Sequence, residues 1–282
     1  MRLMRIGDWG QEVPVLMTAD GQAYDLRPVT RDIDGSFLES WAHRLDSLNL
    51  QGLEPYDIGT RRIGAPIARP TAVVGIGLNY AAHAAESGDP VPERPVVFFK
   101  HPNTVIGPHD DVVIPPGAEK VDWEVELGVV IGRRASYLRS AEDAEACIAG
   151  YVLTNDVSER DYQHHAGTQW TLGKSCATFN PVGPWLVPAS VLEDPAGIRL
   201  RSWVNGEPRQ DSWTSDMVFG AADLVYRLSQ YMVLEPGDLI NTGTPQGVAL
   251  SGRFPYLQAG DSLTLSGGDV LGRQELKLVG NG

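Results

Sequence analysis

The chain has 282 residues, 36 acidic side chains against 23 Lys and Arg for a formal charge of −13, and only Cys147 and Cys176 as cysteines. A chain of this length buries a core without staples, and two cysteines with no CxxC spacing indicate neither a disulfide framework nor a cysteine zinc site. The acidic balance argues against a nucleic-acid surface, while Arg2, Arg5 and Asp8 interrupt the first apolar runs, so neither a signal peptide nor a membrane span is expected. A soluble protein of the reducing cytoplasm fits these numbers. Its net charge repels anions at long range, so an acidic substrate needs a locally cationic pocket, which a bound metal with a few Lys or Arg would supply.

The elements are expected to be mostly strands, because 31 Gly and 20 Pro punctuate many short apolar runs. RIGDW, VPVLM and AYDL open the chain as a small meander, with a turn around Ala19, Asp20 and Gly21. Arg31 to Leu53 is expected to be partly helical, and RRIGAPIARPTA, with Pro66 and Pro70, marks a boundary. This divides the chain into a small N-terminal domain, 1–68, and a main domain, 69–282. The main domain's strand candidates are TAVVGIG, PVVFFK, DVVIP, DWEVELGVVIG, GYVLTND, PWLVP, IRLRSWV, DLINTG and DSLTLSG. Asn205-Gly206 signals a hairpin turn. Two helices are expected, one opened by Ser140 with Asp143 and closed before Gly150, the other carrying Leu224, Val225, Leu228 and Met232 and stopping at Pro236-Gly237. Too few helical patterns stand between the strands for repeated βαβ units, so the class is α+β and β-rich.

Three carboxylates suggest a metal. In DWEVELGVVIG the strand period of two puts Glu124 and Glu126 on one face, at the edge of a run that is otherwise apolar. Asp156 ends another apolar strand, GYVLTND, after which Ser158 is placed to cap a helix carrying Arg160, Asp161 and Gln163. Unpaired carboxylates so close in a buried sheet repel and protonate, whereas a divalent cation removes that penalty. Oxygen ligands suit Mg2+, Mn2+ or Ca2+ better than zinc. The competing reading is a solvated strand face whose glutamates pair with Lys or Arg.

After the strand ending at Gly77, the stretch beyond Asn79 reads as a helical turn with His83 and Glu86 at i and i+3 on one face. A carboxylate holding one imidazole nitrogen leaves the other free to take a proton from water. An exposed ion pair on a helix surface is the alternative at this spacing. His164 and His165 are adjacent and point apart, which favours surface positions, and His101 and His109 fall in loops.

Six strings, GLNYAAHAAESG, PVVFFKHPNTVIGPHDDVVIP, DWEVELGVVIG, YVLTNDVSERDYQ, GKSCATFNPVGPW and GDLINTGTPQGV, together resemble the fumarylacetoacetate hydrolase family, in order across most of Pro70 to Gly247. The resemblance implies a mixed β-sheet roll with a small N-terminal αβ domain and a homodimeric assembly. It implies that Glu124, Glu126 and Asp156 ligate Mg2+ or Mn2+, and that His83 and Glu86 activate water on a segment that closes as a lid. Lys174 matches the lysine that neutralises developing negative charge. Arg160, Gln163, Thr244 and Tyr80 match substrate-facing positions, although Arg160 also has Asp156 and Asp161 as structural partners within reach, and Tyr80 can pack the lid.

The activity this implies is hydrolysis of a carbon–carbon bond in a small anionic oxo-acid, an acylpyruvate or a 2,4-diketo-3-deoxy sugar acid, through a metal-stabilised enolate. Oxaloacetate decarboxylation and isomerisation of a 2-hydroxydienoate use the same chemistry and stay open. So does a non-catalytic module that binds a metal and a sugar acid.

Overall fold

The long apolar runs become strands because they are buried on both faces. In the computed structural model, which describes residues 1–41, 45–167, 169–192 and 194–281, a six-stranded sheet carries the order Val187–Pro188, Ile148–Asn155, Val125–Ile131, Leu239–Asn241, Val73–Gly77, Val96–Lys100. Leu239–Asn241 runs parallel to Val73–Gly77 and antiparallel to Val125–Ile131, so the sheet is mixed. Along each central strand alternate residues enter different cores. Val74, Val129, Leu153 and Ile240 join one cluster, and their neighbours Val73, Val130, Val152 and Leu239 join the other.

The first of these clusters faces a five-stranded sheet, ordered Glu207–Trp213, Arg199–Val204, Ser262–Ser266, Arg273–Gly280, Val112–Ile114, through Leu200, Leu263, Leu265 and Leu276. The second faces the N-terminal four-stranded sheet, ordered Ala23–Asp25, Val13–Met17, Arg2–Ile6, Ile63–Gly64, through Leu3 and Leu16, with Phe37 and Leu38 of the helix Gly35–Trp41. A β-rich roll with few short helices is thus the observed class.

The turn at Asn205-Gly206 is present, with φ of 52° and 82°, and it leads into Glu207–Trp213, a strand too polar to be read from its sequence EPRQDSW. The first strand is Arg2–Ile6 rather than RIGDW, because Gly7 leaves the ladder at φ 133°. The helix expected to reach Met232 is Ala221–Leu228, since the Ser229 hydroxyl donates to the Tyr226 carbonyl and accepts from the Leu138 N–H, competing with helical continuation. Ser140 does cap Ala141–Glu145, accepting from the Asp143 N–H. Ser158 does not cap its helix. It lies in the short strand Ser158–Glu159, and the Glu159 carboxylate caps Arg160–His164 by accepting from the Tyr162 N–H at 2.6 Å. Among the described residues no helix is long and apolar enough to cross a membrane.

Candidate active site

Antiparallel pairing assembles the carboxylates. Val125 lies opposite Asn155, so Glu124, just before one strand, faces Asp156, just after the other, and the Asp156 N–H donates to the Glu124 carbonyl at 3.0 Å. Glu126 follows one strand period later. Carboxylate oxygens of Glu124, Glu126 and Asp156 lie within 4.8 Å of one another, and none of the three residues is more than 5% exposed. A solvated strand face is therefore not what the fold builds.

Three buried cations surround them. Lys174 Nζ bridges Glu124 Oε2 at 2.8 Å and Asp156 Oδ2 at 2.9 Å. Lys100 Nζ donates to Asp156 Oδ1 at 2.5 Å and to the Val157 carbonyl at 3.0 Å. Arg160 grips Glu124 Oε1 at 2.8 Å, Asp122 Oδ2 through Nε at 2.8 Å, and Gln163 Oε1 at 2.9 Å. Its partners are thus Asp122 and Glu124, whereas Asp161 pairs with Lys120 and His165. Asp122 is a fourth buried carboxylate.

The charge is unevenly shared. Burial alone lifts the Glu124 carboxyl, but Lys174 and Arg160 outweigh it and bring the group down to about 2. Glu126 is pushed well above the usual carboxylate range by burial and by the Asp156 and Glu124 carboxylates. Its Oε2 accepts the Gly243 N–H at 2.8 Å, and its Oε1 is buried without a hydrogen-bond partner. Three converging carboxylates, one with an unsatisfied oxygen, form an all-oxygen donor set that fits Mg2+ or Mn2+. Lys100 sits on the far side of Asp156 and is 1% exposed. Replacing it by methionine removes one partner of a buried ion pair, so unfolding in urea is expected to show a loss of about 3 kcal/mol.

The dyad forms on the short helix Ala81–Ser87, which Gly88 ends in the left-handed conformation, its N–H turning back to Ala84 and Ala85 carbonyls. His83 Nδ1 lies 3.0 Å from Glu86 Oε1, and the Gly247 N–H donates to both Glu86 oxygens at 2.9 and 3.1 Å. His83 is 6% exposed, so this is not a surface ion pair. Asn79 anchors the entry to the helix by donating to the Phe219 and Thr242 carbonyls.

One cavity of about 40 Å3 joins these groups, lined by His83, Glu124, Arg160, Gln163, Lys174 and Thr244 among others. Glu86 stands behind His83, and Asp156 behind Lys174. The Thr244 hydroxyl donates to the Val125 carbonyl and accepts from Gln210 Nε2, so its own bonds are already made. Tyr80 is not in the lining. It is fully buried ahead of the helix, its hydroxyl has no partner, and burial followed by the Glu126 charge raises its pKa. His164 is exposed, as expected, and also borders the cavity, packed against Trp170, while His165, His101 and His109 are exposed too.

Gly173 sets the position of Lys174. A Cβ there would lie 2.3 Å from the Glu159 carbonyl oxygen and 2.4 Å from the Gln163 N, so the backbones touch at this point. Gly173→Ala is expected to cost about 1–3 kcal/mol of stability in a denaturant titration and to weaken Mn2+ binding by displacing the lysine.

Sequence reasoning missed Lys100, Asp122 and Gln210. Two of them had a usable signal. Asp122 continues the alternation of Glu124 and Glu126 backwards, and Lys100 shares the inward period of the buried Phe98. Gln210, whose side chain ties the Val125 N–H to Thr244, lies in the strand that was not recognised.

The family described as Fumarylacetoacetate (FAA) hydrolase C-terminal matches residues 72–279. The chain belongs to the fumarylacetoacetate hydrolase family. A Burkholderia ambifaria (strain MC40-6) protein, provisionally named a hydrolase, is 45% identical over 280 residues, covering 97% of each chain. The structure is similar to 2-hydroxyhepta-2,4-diene-1,7-dioate isomerase from Mycobacterium marinum, at 33% identity and a TM-score of 0.78, covering 100% of this chain and 99% of that one. It is also similar to maleylpyruvate hydrolase from Sphingobium sp. SYK-6 in complex with manganese(II) and pyruvate, at 26% identity and a TM-score of 0.82, covering both chains fully.

Proposed function

We propose that the protein is a divalent-metal-dependent hydrolase that breaks a carbon–carbon bond in 2,4-dioxo acids, acylpyruvates or 2,4-diketo-3-deoxy sugar acids. The observation that carries this reading is a carboxylate-held imidazole, His83 with Glu86, opening into the same cavity as Glu124, Arg160 and Lys174. Glu124, Glu126 and Asp156 would hold Mg2+ or Mn2+, which when bound supplies Lewis-acid polarisation of the substrate's 2-oxo group.

The remaining steps belong to the chain's own side chains. Arg160 and Gln163 orient the acid end. Glu86, held by the Gly247 N–H, fixes His83 Nδ1 and leaves Nε2 to take a proton from water. The resulting hydroxide adds to the 4-oxo carbon, and the bond between C3 and C4 then breaks, its electron pair passing to C3 and the 2-oxo oxygen as an enolate. The Lys174 ammonium, which lines the same cavity, would stabilise that negative charge as it develops. The proton held by His83 returns to C3, giving pyruvate or a related 2-oxo acid and a second carboxylic acid.

A second reading, isomerisation of a 2-hydroxydienoate, is supported by the isomerase among the structural neighbours. The test is to strip the protein with a chelator, restore Mn2+, and offer acetylpyruvate, a 2,4-diketo-3-deoxy sugar acid and oxaloacetate in water enriched in oxygen-18. Pyruvate-type product with label in the second acid supports hydrolysis. Carbon dioxide from oxaloacetate alone supports decarboxylation, and no product from any of the three overturns the proposal in favour of isomerisation.

A further inference from the structure

The cavity contains a second set of groups that the proposed chemistry does not use. A chain of contacts leads away from the Lys174 ammonium, which lies 4.9 Å from the Phe98 ring centroid. Phe98 packs on Trp170 at 5.6 Å, and Trp170 meets His164 at 6.1 Å. Ser87, the last residue of the helix that carries the dyad, and Asp89, just past it, complete this part of the lining. Ser87 lines the cavity, and its Oγ is buried without a hydrogen-bond partner, an unused hydroxyl in a residue of the lining. Asp89 is exposed, near enough to His164 to act on its charge.

No free cation is present here among the described residues. The two cationic side chains in the lining, Arg160 and Lys174, are each already paired with two carboxylates. Burial, then Arg160, His165 and Lys174, lower the pKa of His164, which keeps its imidazole neutral near pH 7. A divalent ion held by Glu124, Glu126 and Asp156 would take up one carboxylate of a ligand, and a second, in this part of the cavity, would meet Asp89 and no free cation.

We propose that the substrate's far end is uncharged and bears a hydroxyl or carbonyl for Ser87, and that Asp89 rejects ligands carrying a second carboxylate there. This rests on the metal and oxo-acid reading above and narrows it. It sets the chain apart from its structural neighbour, whose named substrate, 2-hydroxyhepta-2,4-diene-1,7-dioate, is a dicarboxylate.

Calorimetric binding to the Mn2+-loaded protein tests the proposal with two unreactive ligands of equal length, 2-oxopentanoate and 2-oxopentanedioate. The monocarboxylate is expected to bind at least tenfold more tightly. Asp89→Asn should narrow the gap several-fold and Asp89→Lys should invert it, with melting temperatures unchanged because the position is exposed. Equal or tighter binding of the dicarboxylate by the native protein overturns the proposal while leaving the metal and oxo-acid reading intact. A gap unmoved in both variants overturns the role of Asp89. Failure of both ligands to bind overturns that reading, and the proposal with it.

Discussion

His83→Ala is expected to lower kcat by about 10²–10⁴-fold while leaving the Mn2+ dissociation constant within a factor of two or so of native. The separation follows from the geometry. His83 bonds Glu86, and Glu86 is held by the Gly247 N–H, so the dyad shares no hydrogen bond with Glu124, Glu126 or Asp156. Steady-state turnover and a Mn2+ titration followed by electron paramagnetic resonance check the two halves independently. Unchanged turnover would remove His83 from the mechanism and leave the proton transfer to another group. Glu86→Gln should reproduce part of the loss, because a neutral amide still accepts the Gly247 N–H but no longer stabilises an imidazolium.

Glu126→Gln carries the second large effect, and its two consequences have opposite signs. Removing one of three anionic oxygen donors is expected to weaken Mn2+ by about 100-fold or more, given that even outer contacts to ligands are worth about 10–100-fold. The metal-free protein should lose nothing. Glu126 has no cation of its own and one oxygen without a partner, and a glutamine oxygen can still accept the Gly243 N–H. Thermal unfolding in excess chelator is thus expected to show an equal or higher melting temperature, and addition of Mn2+ should raise it in the native protein alone. A variant that melts far lower in chelator would show that Glu126 is a structural group. By contrast, Lys100→Met should destabilise in either condition.

Much of the site could be read from the sequence because its residues obey local periods. Glu124 and Glu126 are two apart on a strand, His83 and Glu86 three apart on a helix, and both pairs converge as those spacings require. The convergence of Asp156 with Glu124 was harder to see, since it depends on strand register, which no single stretch of sequence records. Its place at the end of an apolar strand groups it with the two glutamates, and the family resemblance adds the shared ligand role. Arg160 shows the limit from the other side. Its position on a helix after the strand was legible, but its partner Asp122 comes from 38 residues earlier, so nearby Asp161 was a natural candidate that the fold sends to Lys120 instead. Tyr80 illustrates how burial decides a role. An aromatic at the start of the helix that carries His83 and Glu86 can face a ligand or the core, and here the side chain is fully buried and outside the cavity lining. Element ends failed where a side chain competed with the backbone, as Ser229 does after Leu228 and Glu159 does in place of Ser158.

The stretch from Thr242 to Gly247 touches both the carboxylate cluster and the helix that carries His83 and Glu86. The Thr242 carbonyl accepts from Asn79 at the root of the dyad's helix, the Gly243 N–H reaches Glu126, the Thr244 hydroxyl reaches the Val125 backbone, and the Gly247 N–H reaches Glu86. Six consecutive residues thus serve as a common strut between Glu126 of the proposed metal site and the His83–Glu86 pair. Thermodynamic reciprocity then applies: whatever loading of the ion does to the orientation of His83, the seating of His83 does in equal measure to the ion's affinity. The small effect expected of His83→Ala on the ion's affinity bounds that coupling, so a double-mutant cycle between Glu126 and Glu86, residues with no bond to each other, should add to within about a factor of two.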